Sequence, residues 1–460
     1  MKHNTIAAIS TPPGKGGVAI IRISGDDAPA LAEKIFRPVS KKSIYDYPTR
    51  TQIYGYIICN GEVADDGMLT LFPSPHSYTG EDIAEISCHG GVLITGTILE
   101  ELFTLGAVPA EAGEFTRRAF LNGKLSLNEA ESIGTLLEAV SREQIRLSSL
   151  PSRSRLTRRI DELSDMITKT LGSIYARIDY PEEDLGEFTD TETLERLEAI
   201  RESIESLIAT YKTGRAINEG VRTVICGKPN VGKSTLYNAI VGDDKAIVTD
   251  IAGTTRDVLE SVVGFGRVTL RLFDTAGVRA TEEICEVERI GIERTERNVK
   301  DAELILAVFD SSRPFDDDDR DTLALLSESS GVKICLINKC DTERGLFDTS
   351  LLPDIFDSTI KLSAKDGSLG ELEKAVDTLF TDERISISSD AIVSSARQHS
   401  ALRAALGFID TAIEAYRQGI PADAASSDIE LALGALGELD GRGISETVVS
   451  DIFSRFCVGK

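Results

Sequence analysis

A glycine-rich segment, GKPNVGKS at residues 227–234, lies between a short apolar run and a helical pattern. It matches the spacing Gly-x-x-x-x-Gly-Lys-Ser/Thr, in which the glycines allow backbone N–H groups to surround phosphate oxygens. Lys233 would neutralise the β and γ oxygens, and Ser234 would offer an oxygen ligand to Mg²⁺. The segment therefore predicts a site for a nucleoside triphosphate and magnesium.

Three other motifs would choose the base and complete the phosphate site. In FDTAG, Asp274 would hold magnesium through water, and the Gly277 N–H would reach the γ-phosphate. In NKCD, the Asp341 carboxylate could accept hydrogen bonds from the N1–H and the exocyclic amine of guanine, which adenine does not offer. LSAK, at residues 362–365, would close over the base. The predicted GTP-binding residues are Asn230, Val231, Gly232, Lys233, Ser234, Thr235, Thr249, Asp250, Ile251, Ala252, Gly253, Thr254, Thr255, Asp274, Thr275, Ala276, Gly277, Asn338, Lys339, Asp341, Ser363, Ala364 and Lys365. Together the motifs predict a GTPase domain.

The segment TDIAGTTRD, residues 249–257, lies between the phosphate loop and FDTAG, where a mobile switch belongs. Thr255 would complete the magnesium shell when the γ-phosphate is bound. Ras-like enzymes orient the attacking water with a glutamine after the D-x-x-G glycine, but Val278 stands there and cannot hydrogen-bond a water. Another group must orient that water, and Arg256 and Arg279 are candidates for offsetting the charge that develops on the phosphates.

The composition limits the class of protein. A length of 460 residues suggests roughly three domains, and 41% hydrophobic residues are enough for packed cores. The seven cysteines form no C-x-x-C pair and the four histidines do not cluster, which argues against a disulfide framework and a structural zinc site. The net charge of −25 argues against a wide basic face, so a nucleic acid would be held by a local patch or a second protein. No apolar run approaches the ~18 residues of a membrane span, and no signal or transit peptide is evident, so we expect a cytoplasmic protein.

Changes of pattern along the chain indicate a multidomain α+β and α/β fold. Residues 1–120 alternate strand-like runs with Pro/Gly clusters, as is typical of an α+β domain. Residues 121–214 and 384–460 have apolar residues at helical spacing, which predicts two halves of one helical domain. Residues 215–383 alternate buried strands with helices, which predicts a Ras-like, doubly wound GTPase domain inserted between those halves. Pro151 interrupts the pattern of the first half, where we expect a kink or a break.

The C-terminal tail follows one more apolar stripe. Val449, Ile452, Phe453 and Phe456 recur at helical spacing, which predicts a final helix whose buried face anchors the tail. Only Cys-Val-Gly-Lys remains beyond that stripe, so the helix would hold the Cys457 thiol at a domain surface. The thiol is either an inert group on an ordered tail or a working part of a site.

The nucleotide motifs GKPNVGKST, TDIAGTTRDV, DTAGVR with VERIGIER, and NKCD occur in one chain with GEFTRRAFLNGKLSLNEAE and the terminal FCVGK. Together they resemble the bacterial tRNA uridine-5-carboxymethylaminomethyl modification GTPases, the MnmE/TrmE family. The likeness covers nearly the whole chain, and its terminal signatures are not shared by GTPases in general. It implies a folate-binding N-terminal domain and a homodimer formed through that domain. It also implies a tRNA substrate and a flavin-dependent partner of the MnmG/GidA family.

The resemblance further implies a one-carbon chemistry. Members modify the wobble uridine of certain tRNAs with a carbon unit from tetrahydrofolate, for example 5-formyltetrahydrofolate. By matching motifs, Arg22, Glu85, Lys124 and Lys460 would contact the folate. Cys457 would act as a nucleophile or an acid/base during the transfer.

The resemblance also implies how GTP hydrolysis is assisted. A potassium ion takes the place of an arginine finger, and its ligands here would be Asn230, Thr249, Ile251 and Thr254. Glu288 would orient the attacking water, which fills the gap left by Val278. Two extra residues precede that point in this sequence, so Glu286 is a rival.

One alternative belongs to a different functional class. A regulatory GTPase switch could use its nucleotide state to control the assembly of ribosomes or another complex. The acidic charge slightly disfavours that alternative, and the folate-like signature favours the tRNA-modification enzyme. Binding of 5-formyltetrahydrofolate to the purified chain would discriminate between them.

Overall fold

The computed structural model describes residues 4–180, 189–245, 260–273, 298–342 and 345–460. The chain forms two compact units, one of residues 1–134 with 437–460 and the other of residues 135–436. This division does not test the domain boundaries expected from the sequence, which stay predictions. No helix among the described residues is long and apolar enough to cross a membrane.

Both units contain strands and helices. The strands are β1 (Ile6–Ile9), β2 (Gly16–Ser24), β3 (Phe36–Pro38), β4 (Ile53–Cys59), β5 (Glu62–Phe72), β6 (Ile83–Gly90), β7 (Val108–Pro109), β8 (Val221–Cys226), β9 (Glu260–Phe265), β10 (Val268–Phe273), β11 (Leu304–Asp310), β12 (Val332–Asn338) and β13 (Ser358–Lys361). The helices are α1 (Ala28–Ile35), α2 (Val92–Thr104), α3 (Glu114–Leu121), α4 (Leu127–Glu138), α5 (Arg142–Ser148), α6 (Leu150–Asp179), α7 (Asp190–Ala209), α8 (Tyr211–Asn218), α9 (Lys233–Lys245), α10 (Asp317–Ser327), α11 (Gly370–Phe380), α12 (Ala396–Arg417), α13 (Ala422–Asp440) and α14 (Glu446–Ser454).

The first unit is built on a sheet that, within residues 4–109, has seven strands in the order β3-β4-β5-β6-β2-β1-β7. Its strands alternate buried and exposed residues, as in β4, where Ile53 and Ile57 are buried and Tyr54 and Tyr56 are exposed. This period of two marks a sheet with one face on the core. Helices α1 and α2 contribute Leu31 and other apolar residues to that core. The predicted α+β class is confirmed.

The second unit contains a sheet whose described strands follow the order β13-β12-β11-β8-β10-β9. β11 is buried along its whole length, as expected of a central strand covered on both faces. The strands are parallel except β9, which runs antiparallel to β10. Only Gly266 and Arg267 separate those two strands, and so short a connection can join only an antiparallel pair. The predicted doubly wound domain is confirmed, with this one antiparallel strand at its edge.

The helices on either side of the nucleotide domain in sequence pack together in space. Helix α7 contacts both α6, which precedes the domain, and α12, which follows it. Pro151 lies in the first turn of α6, whose N-cap is Ser149, so the chain starts a new helix there and does not kink. A proline is tolerated at that position because the first turn has no intrahelical acceptor for its missing N–H.

Candidate functional sites

The phosphate loop connects β8 to α9 and leaves no room for side chains at its glycines. Gly227 has φ 141°, and a Cβ there would lie 2.4 Å from the Val308 carbonyl oxygen. Gly232 has φ 103°, and a Cβ there would lie 2.2 Å from the Asn338 amide nitrogen. Real Cβ atoms do not approach so closely, and L-residues rarely adopt these φ values. The motif glycines are therefore required by backbone conformation and by contact.

The lysine of the phosphate loop is held inside the loop. The Lys233 ammonium donates to the carbonyl oxygens of Gly227 at 2.8 Å and Lys228 at 2.9 Å. Burial lowers the pKa of this ammonium, because desolvation penalises its charged form. Ser234 and Thr235 are exposed in the first turn of α9. The charged group and the helix N-terminus thus lie where a polyphosphate would bind.

The base-recognition motif is hydrogen-bonded to both of its neighbours. The Asn338 side chain donates to the Val231 carbonyl and accepts from the Ala364 N–H, each at 2.8 Å. The Ser363 hydroxyl is buried and has no hydrogen-bond partner within the described parts of the chain, whereas Asp341 and Lys365 are exposed. An orphaned hydroxyl beside an exposed carboxylate fits a base that brings its own donors and acceptors.

Lys339 links the base motif to the phosphate loop. Its ammonium donates to the Asn230 carbonyl and to the Asp310 carboxylate, both at 2.7 Å. Asn230 and Lys339 both have positive φ, 64° and 65°, which is uncommon for residues other than glycine. Asp310 is almost fully buried, and the hydrogen bonds from Lys339 and Ser312 lower its pKa despite the opposing effect of burial. This network joins two of the predicted motifs.

Several sequence predictions lie outside the described residues. They are Thr249, Asp250, Ile251, Ala252, Gly253, Thr254, Thr255, Arg256, Asp274, Thr275, Ala276, Gly277, Arg279, Glu286 and Glu288. The proposed water-orienting and switch residues therefore stay predictions.

A second candidate site lies on the sheet of the first unit. Arg22 on β2 stands opposite Glu85 on β6, and the guanidinium donates to the Glu85 carboxylate at 2.8 Å. The same guanidinium lies 5.4 Å from the ring centroid of Tyr78 and 5.5 Å from that of Phe115. These distances suit cation–π contact. Two of the predicted folate residues therefore form an ion pair flanked by two aromatic rings.

The C-terminal tail docks beside this ion pair. The Cys457 carbonyl accepts from the Gly113 N–H at 3.3 Å, and the Lys460 carbonyl accepts from the Phe115 N–H at 3.1 Å. The Ser10 hydroxyl donates to the Gly459 carbonyl at 3.0 Å. Phe115 therefore contacts both the terminal residue and the Arg22 guanidinium. The final helix and anchored tail expected from the apolar stripe are confirmed, because Phe453 is buried and the tail is hydrogen-bonded, while the Cys457 side chain is exposed.

Lys124 is bonded to the loop that precedes β6. Its ammonium donates to the Pro75 carbonyl at 3.0 Å, in the segment that carries Tyr78. The neighbouring Asn122 side chain donates to the Thr79 carbonyl at 2.8 Å. Of the four residues that the family resemblance singles out, Arg22 and Glu85 pair directly, Lys124 is bonded to the loop that carries Tyr78, and Lys460 is bonded to Phe115.

Sequence reasoning missed the groups that support this site. Arg118 is buried and pairs with Glu114 at 2.7 Å and with Glu81 at 3.0 Å, and Glu81 in turn accepts from Ser24 at 2.8 Å. This network ties α3 to the loop that carries Tyr78 and to the end of β2. Phe115 and Arg118 both lie in the EFTRRAF segment that resembles the family signature, but nothing in their spacing indicates these partners.

Two family models match the chain. One, described as the GTP-binding protein TrmE N-terminus, matches residues 5–124, and the other, described as the MnmE helical domain, matches residues 127–457. The second match alone spans well over half of the chain. The chain belongs to the MnmE family.

The curated relatives of the family agree with these matches over their full length. The protein from Acetivibrio thermocellus is 39% identical over 467 residues, with 100% of each chain covered. The protein from Clostridioides difficile is 39% identical, with 99% of each chain covered. The protein from Thermotoga maritima is 39% identical, with 99% of this chain and 100% of the relative covered. Each of these relatives is named tRNA modification GTPase MnmE.

Proposed function

We propose that this chain is a GTP-hydrolysing tRNA modification enzyme. With a flavin-dependent partner of the MnmG/GidA family, it adds a carboxymethylaminomethyl group to C5 of the wobble uridine, using a one-carbon unit from a tetrahydrofolate. The observation that supports the proposal is the C-terminal tail, which is bonded to Gly113 and Phe115, the latter packed against Arg22, in a chain that also has a phosphate loop. A GTPase that served only as a switch would not need such a second site.

The described part of the nucleotide site suits GTP, and in this proposal the complete site also holds Mg²⁺ and K⁺. The glycines of the loop and the half-buried Lys233 suit the phosphates, and the orphaned Ser363 hydroxyl suits the base. Ser234 and Thr255 would hold Mg²⁺, which neutralises charge on the β and γ oxygens. Asn230, whose carbonyl Lys339 fixes, would hold K⁺. The other proposed K⁺ ligands are Thr249, Ile251 and Thr254. In this scheme Glu288 orients the attacking water, and Glu286 remains its rival.

In this proposal the first unit binds a reduced folate. A pterin presents adjacent amine and ring N–H donors that a carboxylate such as Glu85 would accept, and its flat ring would stack on the half-buried Tyr78. Lys124 and Lys460 would pair with the carboxylates of the folate tail. The folate supplies the one-carbon unit when it is bound. Cys457, exposed on the docked tail, would act beside it as a nucleophile or an acid/base.

The acidic net charge bears on the partners. At −25 the chain has no general excess of cations for an RNA backbone, so in this proposal much of the tRNA contact falls to the flavoprotein. The chain would act as a homodimer through its N-terminal domains, with the GTPase domains meeting across it. The tRNA substrate places this reaction in the cytoplasm.

Folate binding tests the proposal against the regulatory alternative. Calorimetry of the full chain with 5-formyltetrahydrofolate should show one saturable site, and Glu85→Gln should weaken it about tenfold, because an amide satisfies the pterin donors less well than a carboxylate. Glu62→Gln, an exposed residue on β5, is the matched control and should bind like the wild type. A wild-type chain that hydrolyses GTP but shows no folate binding would favour the regulatory GTPase.

A further inference from the structure

The second residue of the phosphate loop, Lys228, has no role in the nucleotide-binding motif, yet it is among the most buried lysines described. Its exposure is 7%. Its ammonium donates to Asp316 at 2.6 Å and to Asp319 at 2.8 Å. Both carboxylates come from the start of α10, 88 and 91 residues further along the chain. A buried lysine in a loop that must bind anions calls for a physical reason.

The two carboxylates already serve the helix that carries them. Asp316 is the N-cap of α10 and accepts from the Asp319 N–H, while the Asp319 carboxylate accepts from the Asp316 N–H, each at 3.2 Å. This reciprocal pair is a capping box. Asp319 is 1% exposed, and the same oxygen atom accepts from both Asp316 and Lys228. Lys228 therefore joins the phosphate loop to the first turn of a helix.

The charges make this junction rigid. The positive end of the helix dipole favours carboxylates at the start of a helix, and here Asp316 and Asp319 both accept from Lys228. Burial disfavours the charged ammonium, but its hydrogen bonds to the two aspartates outweigh burial and raise its pKa. Removing the Lys228 charge would leave the buried Asp319 carboxylate without its counter-ion, which is costly in a low-dielectric environment.

The junction also controls the lysine that meets the nucleotide. The backbone carbonyl of Lys228 accepts from the Lys233 ammonium at 2.9 Å. One residue therefore has its side chain clamped to α10 and its carbonyl bonded to the group that would neutralise the phosphates. A shift of the loop at Lys228 would move the Lys233 ammonium and the N–H groups around it.

We propose that Lys228 and Asp319 are positioning residues for the phosphate loop, and that their ion pair sets the affinity for the phosphates and not for the guanine base. The base motif is bonded to the loop through other groups, Asn338 and Lys339. The inference rests on the proposed GTP site, and it adds a determinant that the motif does not contain.

Asp319→Asn in the full chain tests the inference, with affinities measured for GTP, GDP and guanosine. Misplacing the loop should weaken GTP and GDP about tenfold, while guanosine binding should stay within about twofold of wild type. Asp317→Asn is the matched control, since Asp317 lies in the same helical turn but is exposed and pairs only with Arg320 among the described residues. Equal GDP affinities in the two variants, or an equal loss of GDP and guanosine, would overturn the inference.

Two variants of Lys228 provide a second test if Asp319→Asn does not fold. Lys228→Arg keeps the charge and should retain GDP affinity within about threefold, whereas Lys228→Met should show the tenfold loss. Similar GDP affinities for the two Lys228 variants would overturn the inference. A wild-type chain that binds no GTP would overturn the proposed nucleotide site as well, so the two failures are distinguishable.

Discussion

Gly459, the penultimate residue, holds the C-terminal tail in place, and Gly459→Ala should release it. Its φ is +95°, and a Cβ there would lie 2.2 Å from the Ile9 carbonyl oxygen and 3.0 Å from the Ser10 Cα. A non-glycine residue in this region of φ costs about 1–3 kcal/mol before any contact is counted. The contact with backbone atoms adds to that cost, because neither chain segment can move away as a flexible side chain could.

The attachment that opposes release is modest. Three hydrogen bonds tie the tail to Ser10, Gly113 and Phe115, and at about 1 kcal/mol net each they contribute about 3 kcal/mol to docking. The strain of about 1–3 kcal/mol together with the backbone contact matches or exceeds this contribution, so most molecules would have an undocked tail. The helix α14 should remain, since Phe453 is buried independently of the tail. The tail should therefore leave its site in a folded protein.

The assay pairs tail cleavage with function. Gly459→Ala should make the last residues sensitive to carboxypeptidase, weaken folate binding and abolish tRNA modification, with GTP hydrolysis and melting temperature near wild type. Gly443→Ala is the matched control, because its φ is +79° but no atom lies within 4 Å of the added Cβ. Wild-type folate binding and modification by Gly459→Ala, with a protected tail, would refute the reasoning.

Three further predictions concern the sites. Asp341→Asn should weaken GTP binding by about 2–4 kcal/mol, because the guanine donors lose their carboxylate acceptor, and should strengthen the binding of xanthosine triphosphate. Unchanged GTP affinity in a binding titration would contradict the NKCD assignment. GTP turnover should be much faster in KCl than in NaCl at equal ionic strength and should rise with protein concentration. Asn230→Ala should remove this dependence on potassium. Equal rates in both salts, independent of dilution, would rule out the potassium site. Cys457→Ser should abolish tRNA modification in an assay with the flavoprotein partner while leaving GTP hydrolysis, dimerisation and folate binding near wild type. Full modification by this variant would show that the thiol has no role in the reaction.

Local patterns were enough to predict the classes of domain and the phosphate loop. The loop motif spans eight residues between a strand and a helix, so its chemistry depends on neighbours along the chain, and spacing alone indicates it. The apolar periodicities likewise predicted the helices and the α/β domain, because a period of two or of 3.6 follows from backbone geometry. The antiparallel β9 was missed, since its direction depends on the tight turn at Gly266 and not on its apolar content.

By itself, the sequence determined the family, the phosphate loop, the doubly wound domain and the helical stripes. Each of these depends on residues close together in the chain or on motifs shared with relatives. The tertiary structure alone decided that Arg22 lies between Tyr78 and Phe115, that Lys228 is clamped to Asp319, and that Gly459 rests against Ile9. These partners are separated by tens to hundreds of residues. Their contacts arise from strand register and helix packing, which no local spacing encodes.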